Sequence, residues 1–301
     1  MTEARRKVMA ERREEVQKKC GSLKLQGVLA PNWERVYNNF IWSAKHHLVW
    51  CPIFKAASTS WVKHFLLLQG ETEPDMGLHK RARQLYRPPN NPRKKKELLE
   101  FSRKMMIVRH PLERLLSAYR DKMLRVGGSA GRFQSLQRKI AHSYTDPNSQ
   151  LDPTRYNHTD DTDEKKHEHP TFTQFLMKVR DDLNKAWQTG GAHHVNMHWR
   201  PYWITCAPCH INYDLIARVE TLDEDQEFII RELDLQDVLM NVHAHASSFD
   251  LYNRTSEATK IYYGQVPLSL LQDVVRLYQY DFDIYGYSPE PYFSLARQDQ
   301  G

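Results

Sequence analysis

Residues 48–70 read LVWCPIFKAASTSWVKHFLLLQG, and this stretch decides the fold. Leu48 to Phe54 is a short apolar run that suits a buried strand. Pro52 within it points to an edge position or to the strand's end, because proline cannot donate to a ladder. A loop of small residues follows from Lys55 to Ser60, and then WVKHFLLLQG reads as a helix closing at Gly70. In a strand–loop–helix of this kind, backbone N–H groups and the positive end of a helix can meet an anion with little steric bulk in the way. Ala56, Ala57 and Ser58 supply small size, Ser58, Thr59 and Ser60 supply hydroxyls, and Lys55 supplies a point charge. The same residues would equally make a Ser/Thr-capped helix with Lys55 in solvent. The loop has no glycine, so the G-x-x-x-x-G-K-[ST] pattern of ATP-binding loops is absent.

Lys104 to Val108 (KMMIV) is a second buried-strand candidate. Arg109-His110-Pro111 breaks it, and LERLLSAYRDKML continues as a helix, with Pro111 where a first helical turn accepts proline. Arg109 then sits at a strand end, where open α/β sheets bind ligands, and a guanidinium can take a phosphate bidentately. Ser117 lies two turns into the helix and adds a hydroxyl, whereas surface ion pairs of Glu113 with the arginines are the competing reading. Tyr213 to Val219 reads as a third strand, followed by a helix from Leu222 to Leu233. Phe172 to Asp182 is a short amphipathic helix, and Pro267 to Tyr280 buries one apolar face. Strands alternating with helices predict an α/β fold with a mostly parallel central sheet flanked by helices. Residues 1–20 read as a solvated helix of alternating charge, so 1–44 is expected to be a stem-like arm and 45–301 the globular domain. Residues 71–100 read as an irregular basic connection and 127–170 as a long surface insertion.

The chain of 301 residues is 40% hydrophobic, enough for a sizeable core, and carries a formal charge of +6. A basic balance suits anionic partners without choosing among nucleic acid, acidic lipid, a phosphorylated cofactor and a sulfated glycan. No stretch approaches the roughly 18 apolar residues of a bilayer span, and the charged N-terminus does not resemble a signal peptide. Of the four cysteines, Cys206 and Cys209 form a single C-x-x-C, which is half a zinc site, a redox pair or a local bridge, and reads best as structural; the pairing is open. Two N-x-[ST] sequons stand at Asn157 and Asn253.

Taken together the two stretches resemble the paired cofactor motifs of the Golgi carbohydrate sulfotransferases. WCPIFKAASTSW is similar to that family's C-x-x-P-K-x-[AS]-[CS]-T-[NS]-W, and RHPLERLLSAYRDK to its R-[ED]-P-[FL]-E-R-L-[VL]-S-A-[YF]-R-x-K. HWRPYWITCAPCHINYDLIARVETLDED, from His198 to Asp225, resembles a block of the branch holding the chondroitin and dermatan 4-O-sulfotransferases. Likeness runs from about residue 45 to 290 with the insertion unmatched. Two positions depart: Phe54 replaces the proline before the loop lysine, and His110 replaces an acidic residue after the motif arginine.

The resemblance implies a P-loop-like fold that binds 3′-phosphoadenosine 5′-phosphosulfate (PAPS) as sulfuryl donor, with no metal, and an anionic glycan as acceptor. It implies that Lys55 contacts the bridging oxygen and the 5′-phosphate, with Ala57, Ser58, Thr59, Ser60 and Trp61 completing that loop. Arg109, Pro111, Arg114 and Ser117 fall on the 3′-phosphate motif. His79, between the two motifs, and His198, in the HW block, are the candidates for the base that takes the acceptor's proton. The Golgi lumen is the implied compartment, reached through an anchor this chain does not display. The basic runs 80–83 and 93–96 either steer an acidic polysaccharide or are plain solvated loops. Three rivals remain: an inactive sulfated-glycan binder of the same fold, a phosphoryl-transfer enzyme, disfavoured by the missing glycines, and a nucleic-acid module, disfavoured because 93–96 has no interleaved aromatics.

Overall fold

The computed structural model describes residues 2–25, 31–72, 77–125, 128–146, 169–190, 195–239 and 257–299. The principal elements are α1 (Thr2–Ser22), α2 (Trp33–Asn39), β1 (Ile41–Ser43), β2 (Leu48–Cys51), α3 (Ser58–Leu67), α4 (Leu78–Leu85), α5 (Pro92–Phe101), β3 (Arg103–Val108), α6 (Pro111–Lys122), α7 (Gln134–Ser143), α8 (Phe172–Thr189), α9 (Tyr202–Cys206), β4 (Leu215–Arg218), α10 (Leu222–Glu232) and α11 (Leu268–Leu277). They fall into two compact units, one of residues 1–110, 200–248 and 283–286, the other of 111–199, 249–282 and 287–301.

The first unit is built on a four-stranded sheet in the order β1-β2-β3-β4. β1 is antiparallel to β2, and β2, β3 and β4 are mutually parallel, so the expected mostly parallel α/β sheet with helical cover is what forms. Register pairs Trp50 with Met105, and Met105 with Leu215. These three residues, with Leu48, Ile107 and Ala217, pack with Trp61 and Phe65 of α3 and Phe228 and Ile229 of α10. That is the alternation of a pleat with one set of residues in this core. β2 stops at Cys51, so the apolar run to Phe54 is not all strand; Pro52 ends it, having no N–H to donate.

The helix at residues 2–22 is not a solvated arm. Met9, Val16 and Cys20 are buried, and Cys20 is disulfide-bonded to Cys209 with Cα atoms 5.2 Å apart. Asp225, fully buried on α10, accepts from Arg5 Nη1 (3.1 Å), Arg12 Nη1 (2.6 Å), Thr221 Oγ1 (2.9 Å) and the Arg218 amide (2.8 Å). α1 is thus held by charge and a covalent bridge more than by an apolar stripe. Residues 71–100 are likewise not irregular throughout. α5 starts because the Asn91 side chain accepts from the amides of Arg93 and Lys94, with Pro92 at the first helical position.

The second unit is helical, with a core of α6, α8 and α11 residues such as Leu112, Leu116, Tyr119, Phe172, Phe175, Leu271 and Val274. α8 begins at a capping box in which Thr171 and Gln174 bond each other's backbone amides, and it runs to Thr189, beyond the expected Asp182. Within the expected surface insertion, α7 buries Gln137 and Ile140. Positions 147–168 of that segment, and both sequons, lie outside the described residues.

Candidate active site

The loop after β2 is the first half of the site. Ala56 N–H donates to Ile53 O at 3.2 Å, closing a turn, and α3 then starts at Ser58. Lys55 and Ala57 both take left-handed backbone, at φ 69° and 55°. For residues with a Cβ this costs on the order of 1 kcal/mol each, and such strain clusters at functional sites. The conformation is one that glycine adopts without strain, and Ala57 has the smallest side chain that still carries a Cβ. The first amides of α3 have no intrahelical acceptor, as at any helix start. Ser58 is buried, Ser60 half-buried and Thr59 exposed. Trp61 is 1% exposed, its ring packed near Trp50, His64 and Phe65, so it anchors α3 in the core beneath the loop.

The turn after β3 is the second half. Because β2 and β3 are adjacent and parallel, their C-terminal ends emerge side by side. Arg109 Nη1 lies 3.5 Å from Lys55 O, so the guanidinium of one turn reaches the backbone of the other. Tyr202 of α9 grips Arg109 twice: its hydroxyl accepts from the Arg109 amide at 3.1 Å and donates to the Arg109 carbonyl at 2.6 Å. The His110 amide donates to Glu220 Oε1 at 2.7 Å. His110, which stands where the motif has an acidic residue, thus has a carboxylate neighbour supplied from beyond β4.

Cys51 is disulfide-bonded to Cys206, with Cα atoms 5.9 Å apart. This joins the last residue of β2 to the helix that carries Tyr202. Cys206 and Cys209 form no local bridge with each other: the pairs are Cys20–Cys209 and Cys51–Cys206, which leave neither sulfur of the C-x-x-C as a thiolate for metal or redox chemistry. Among the described residues no cluster of three His, Cys, Asp or Glu could hold a metal.

His79 on α4 sits against the loop. Its Nε2 is 3.4 Å from Thr59 Oγ1 and its ring centroid 4.9 Å from that of Phe54. Phe54, the departure from the family pattern, is thus a ring against which the histidine rests.

In the second unit, Pro111 opens α6 and Arg114 is fully buried, with Nη1 donating to His198 O at 3.3 Å. Ser117 is half-buried one turn further on. His198 Nδ1 is 2.8 Å from Asn196 Oδ1, and its ring meets Phe133 edge-on at 5.3 Å. An Nδ1–H held by Asn196 leaves the Nε2 lone pair as the basic position. The sequence points to Lys55, Arg109, His79 and His198 but not to Tyr202, which holds Arg109, or Glu220, which holds the His110 amide. Both stand inside the HW block, where the only available signal was the block itself.

These elements define the chain's class. The chain belongs to the sulfotransferase family, whose model matches residues 38–288. Its relatives are carbohydrate sulfotransferases. It is 24% identical to carbohydrate sulfotransferase 11 of Rattus norvegicus over 89% of this chain and 71% of that protein. It is 26% identical to carbohydrate sulfotransferase 14 of Danio rerio over 81% of this chain and 60% of that protein. It is 25% identical to carbohydrate sulfotransferase 12 of Xenopus laevis over 85% of this chain and 61% of that protein. The chain therefore spans between 60% and 71% of the length of these three relatives. No solved structure matches it.

Proposed function

We propose that the chain transfers a sulfuryl group from PAPS to a hydroxyl of an anionic or N-acetylgalactosamine-containing glycan, of the chondroitin or dermatan kind. One contact carries the reading: the 3.5 Å approach of Arg109 to the Lys55 carbonyl, which brings the two motif turns to one end of the sheet. The left-handed loop, the small Ala56 and Ala57 and the helix start at Ser58 fit a 5′-phosphosulfate group. PAPS would supply the sulfur electrophile and leave as the 3′,5′-bisphosphate.

The chain's own residues divide the remaining work. Lys55 Nζ neutralises the negative charge that grows on the bridging oxygen, and the hydroxyls and amides of Ser58, Thr59 and Ser60 hold the same end. Arg109, with Arg114 and Ser117 of the same motif, takes the 3′-phosphate that separates this donor from ATP. His79 Nε2 is our first choice to accept the hydroxyl proton because it already stands beside Thr59. His198 Nε2 is the competing choice. The two disulfides suit an oxidising compartment such as the Golgi lumen. Among the described residues no helix is long and apolar enough to cross a membrane.

The test is incubation of the full chain with radiolabelled PAPS and chondroitin, dermatan, heparan and N-glycan acceptors. Lys55→Ala should lower turnover about 10²–10³-fold, the scale of losing one preorganised electrostatic contact. Near-normal turnover would remove Lys55 from its role. A pH–rate profile on His79→Ala and His198→Ala identifies the base; if both retain activity, neither is.

A further inference from the structure

A second feature of the first unit lies beside the loop and takes no part in the chemistry above. α2 carries Trp33 and Tyr37 one turn apart, and their rings stack at 5.4 Å and 28°. The Trp33 ring is also met edge-on by His210, at 5.8 Å and 87°. Although fixed by two neighbours, Trp33 remains 39% exposed, unlike the buried Trp50 and Trp61. Tyr37 lines a cleft of about 220 Å³ with Pro92, Lys95, Lys96 and Leu99. Lys95 Nζ lies 5.6 Å from the Tyr37 ring centroid. In the run Arg93 to Lys96, Glu97 pairs with Arg93 at 3.1 Å, and among the described residues no carboxylate pairs with Lys94, Lys95 or Lys96. A held, partly exposed indole thus stands one ring away from the Lys95 ammonium, so apolar ring surface and positive charge occur together.

This patch is joined to the loop. Asn39, the last residue of α2, donates from Nδ2 to Pro52 O at 3.2 Å, and Pro52 is three residues before Lys55. From Trp33 to Asn39 the helix rises about 9 Å. A chain polymer lying along α2 would therefore run toward the loop's entrance.

We infer that Trp33, Tyr37, Lys95 and Lys96 form a binding subsite for a uronate- or sulfate-bearing saccharide unit of the acceptor, removed from the unit that is modified. The inference rests on the glycan reading proposed above for its choice of occupant. Sugar rings present C–H faces that stack on an exposed indole, and their carboxylate or sulfate groups pair with lysines. A nucleic acid could satisfy the same charge, but one exposed tryptophan and a helix of lysines give no track for successive bases.

The experiment measures binding of a chondroitin sulfate hexasaccharide to the full chain by calorimetry, with 3′,5′-adenosine bisphosphate binding measured on the same samples. Trp33→Ala and the double variant Lys95→Met/Lys96→Met should each weaken hexasaccharide binding about tenfold. Both should leave bisphosphate binding unchanged. Only the lysine variant should flatten the salt dependence. In turnover, KM should rise for hexasaccharide and stay level for a disaccharide, with kcat unaltered. Unchanged hexasaccharide affinity in both variants overturns the inference while leaving the enzyme proposal intact. Tighter binding of a single-stranded oligonucleotide than of hexasaccharide also overturns it. Trp33-dependent glycan binding without any bisphosphate binding would instead sink the donor-site reading and keep the subsite.

Discussion

The turn after β2 and the turn after β3 leave neighbouring parallel strands, yet they are shaped by different means. The first is shaped by backbone conformation: two left-handed residues without glycine, small side chains and a helix that starts at once. The second is shaped by outside support: Tyr202 holds the backbone N–H and C=O of Arg109, and Glu220 holds the amide of His110. Under the proposed function the first loop approaches an anion with its own amides, and braces would crowd it, so its shape comes from within. A loop that presents a long guanidinium can be clamped from behind. The Cys51–Cys206 bridge links the two designs, since it joins the strand of the first to the helix that braces the second.

That contrast can be broken most severely at the bridge. Cys51→Ser with Cys206→Ser should cost about 2–5 kcal/mol of stability, read as a lowered denaturation midpoint, because the bridge closes a long segment. If both turns depend on it, PAPS affinity should fall in the same variant at temperatures where the chain stays folded. Acid should strain the first design more than the second. Burial holds His64 of α3 down to a pKa of about 4, well below its ordinary 6.5. The folded state therefore favours the neutral ring, and the unfolded state binds the extra proton between these values. Stability is full above about pH 6.5 and declines as pH falls toward 4, by roughly 3 kcal/mol. His64→Gln should flatten that decline in denaturant titrations across this window; an unaltered slope would mean His64 is not its source.

Tyr202→Phe removes both bonds to Arg109 and should raise KM for PAPS about tenfold, equivalent to ~1.4 kcal/mol, with kcat nearly preserved. Ala57→Gly should stabilise the fold by up to about 1 kcal/mol, since glycine relaxes a left-handed backbone that alanine resists. A loss of stability there would mean the strain argument for the loop is wrong.

Sequence alone made the two turns legible because their residues are contiguous and their chemistry is specific: Lys55 in a small-residue loop, Arg109 at a strand end. The braces were not legible, since a tyrosine that bonds backbone from a position 93 residues away leaves no local pattern. α1 was misjudged as solvated for a related reason. Its attachment comes from Arg5 and Arg12 meeting a buried aspartate more than 200 residues on, not from an apolar face. α4 and α5 were hidden by their many lysines and arginines, which read as loop until the Asn91 cap and the buried Ala82 are seen. The disulfide partners were equally out of reach, separated by 189 and 155 positions.

Both bridges end in the four-residue stretch from Cys206 to Cys209, and this has a topological consequence. One peptide-bond scission anywhere from Gly21 to Thr205 leaves the two pieces in one covalent molecule, separable only after reduction. A nicked preparation would migrate as an intact chain until a thiol is added, and both motif turns would stay tethered to the same short segment after the cut.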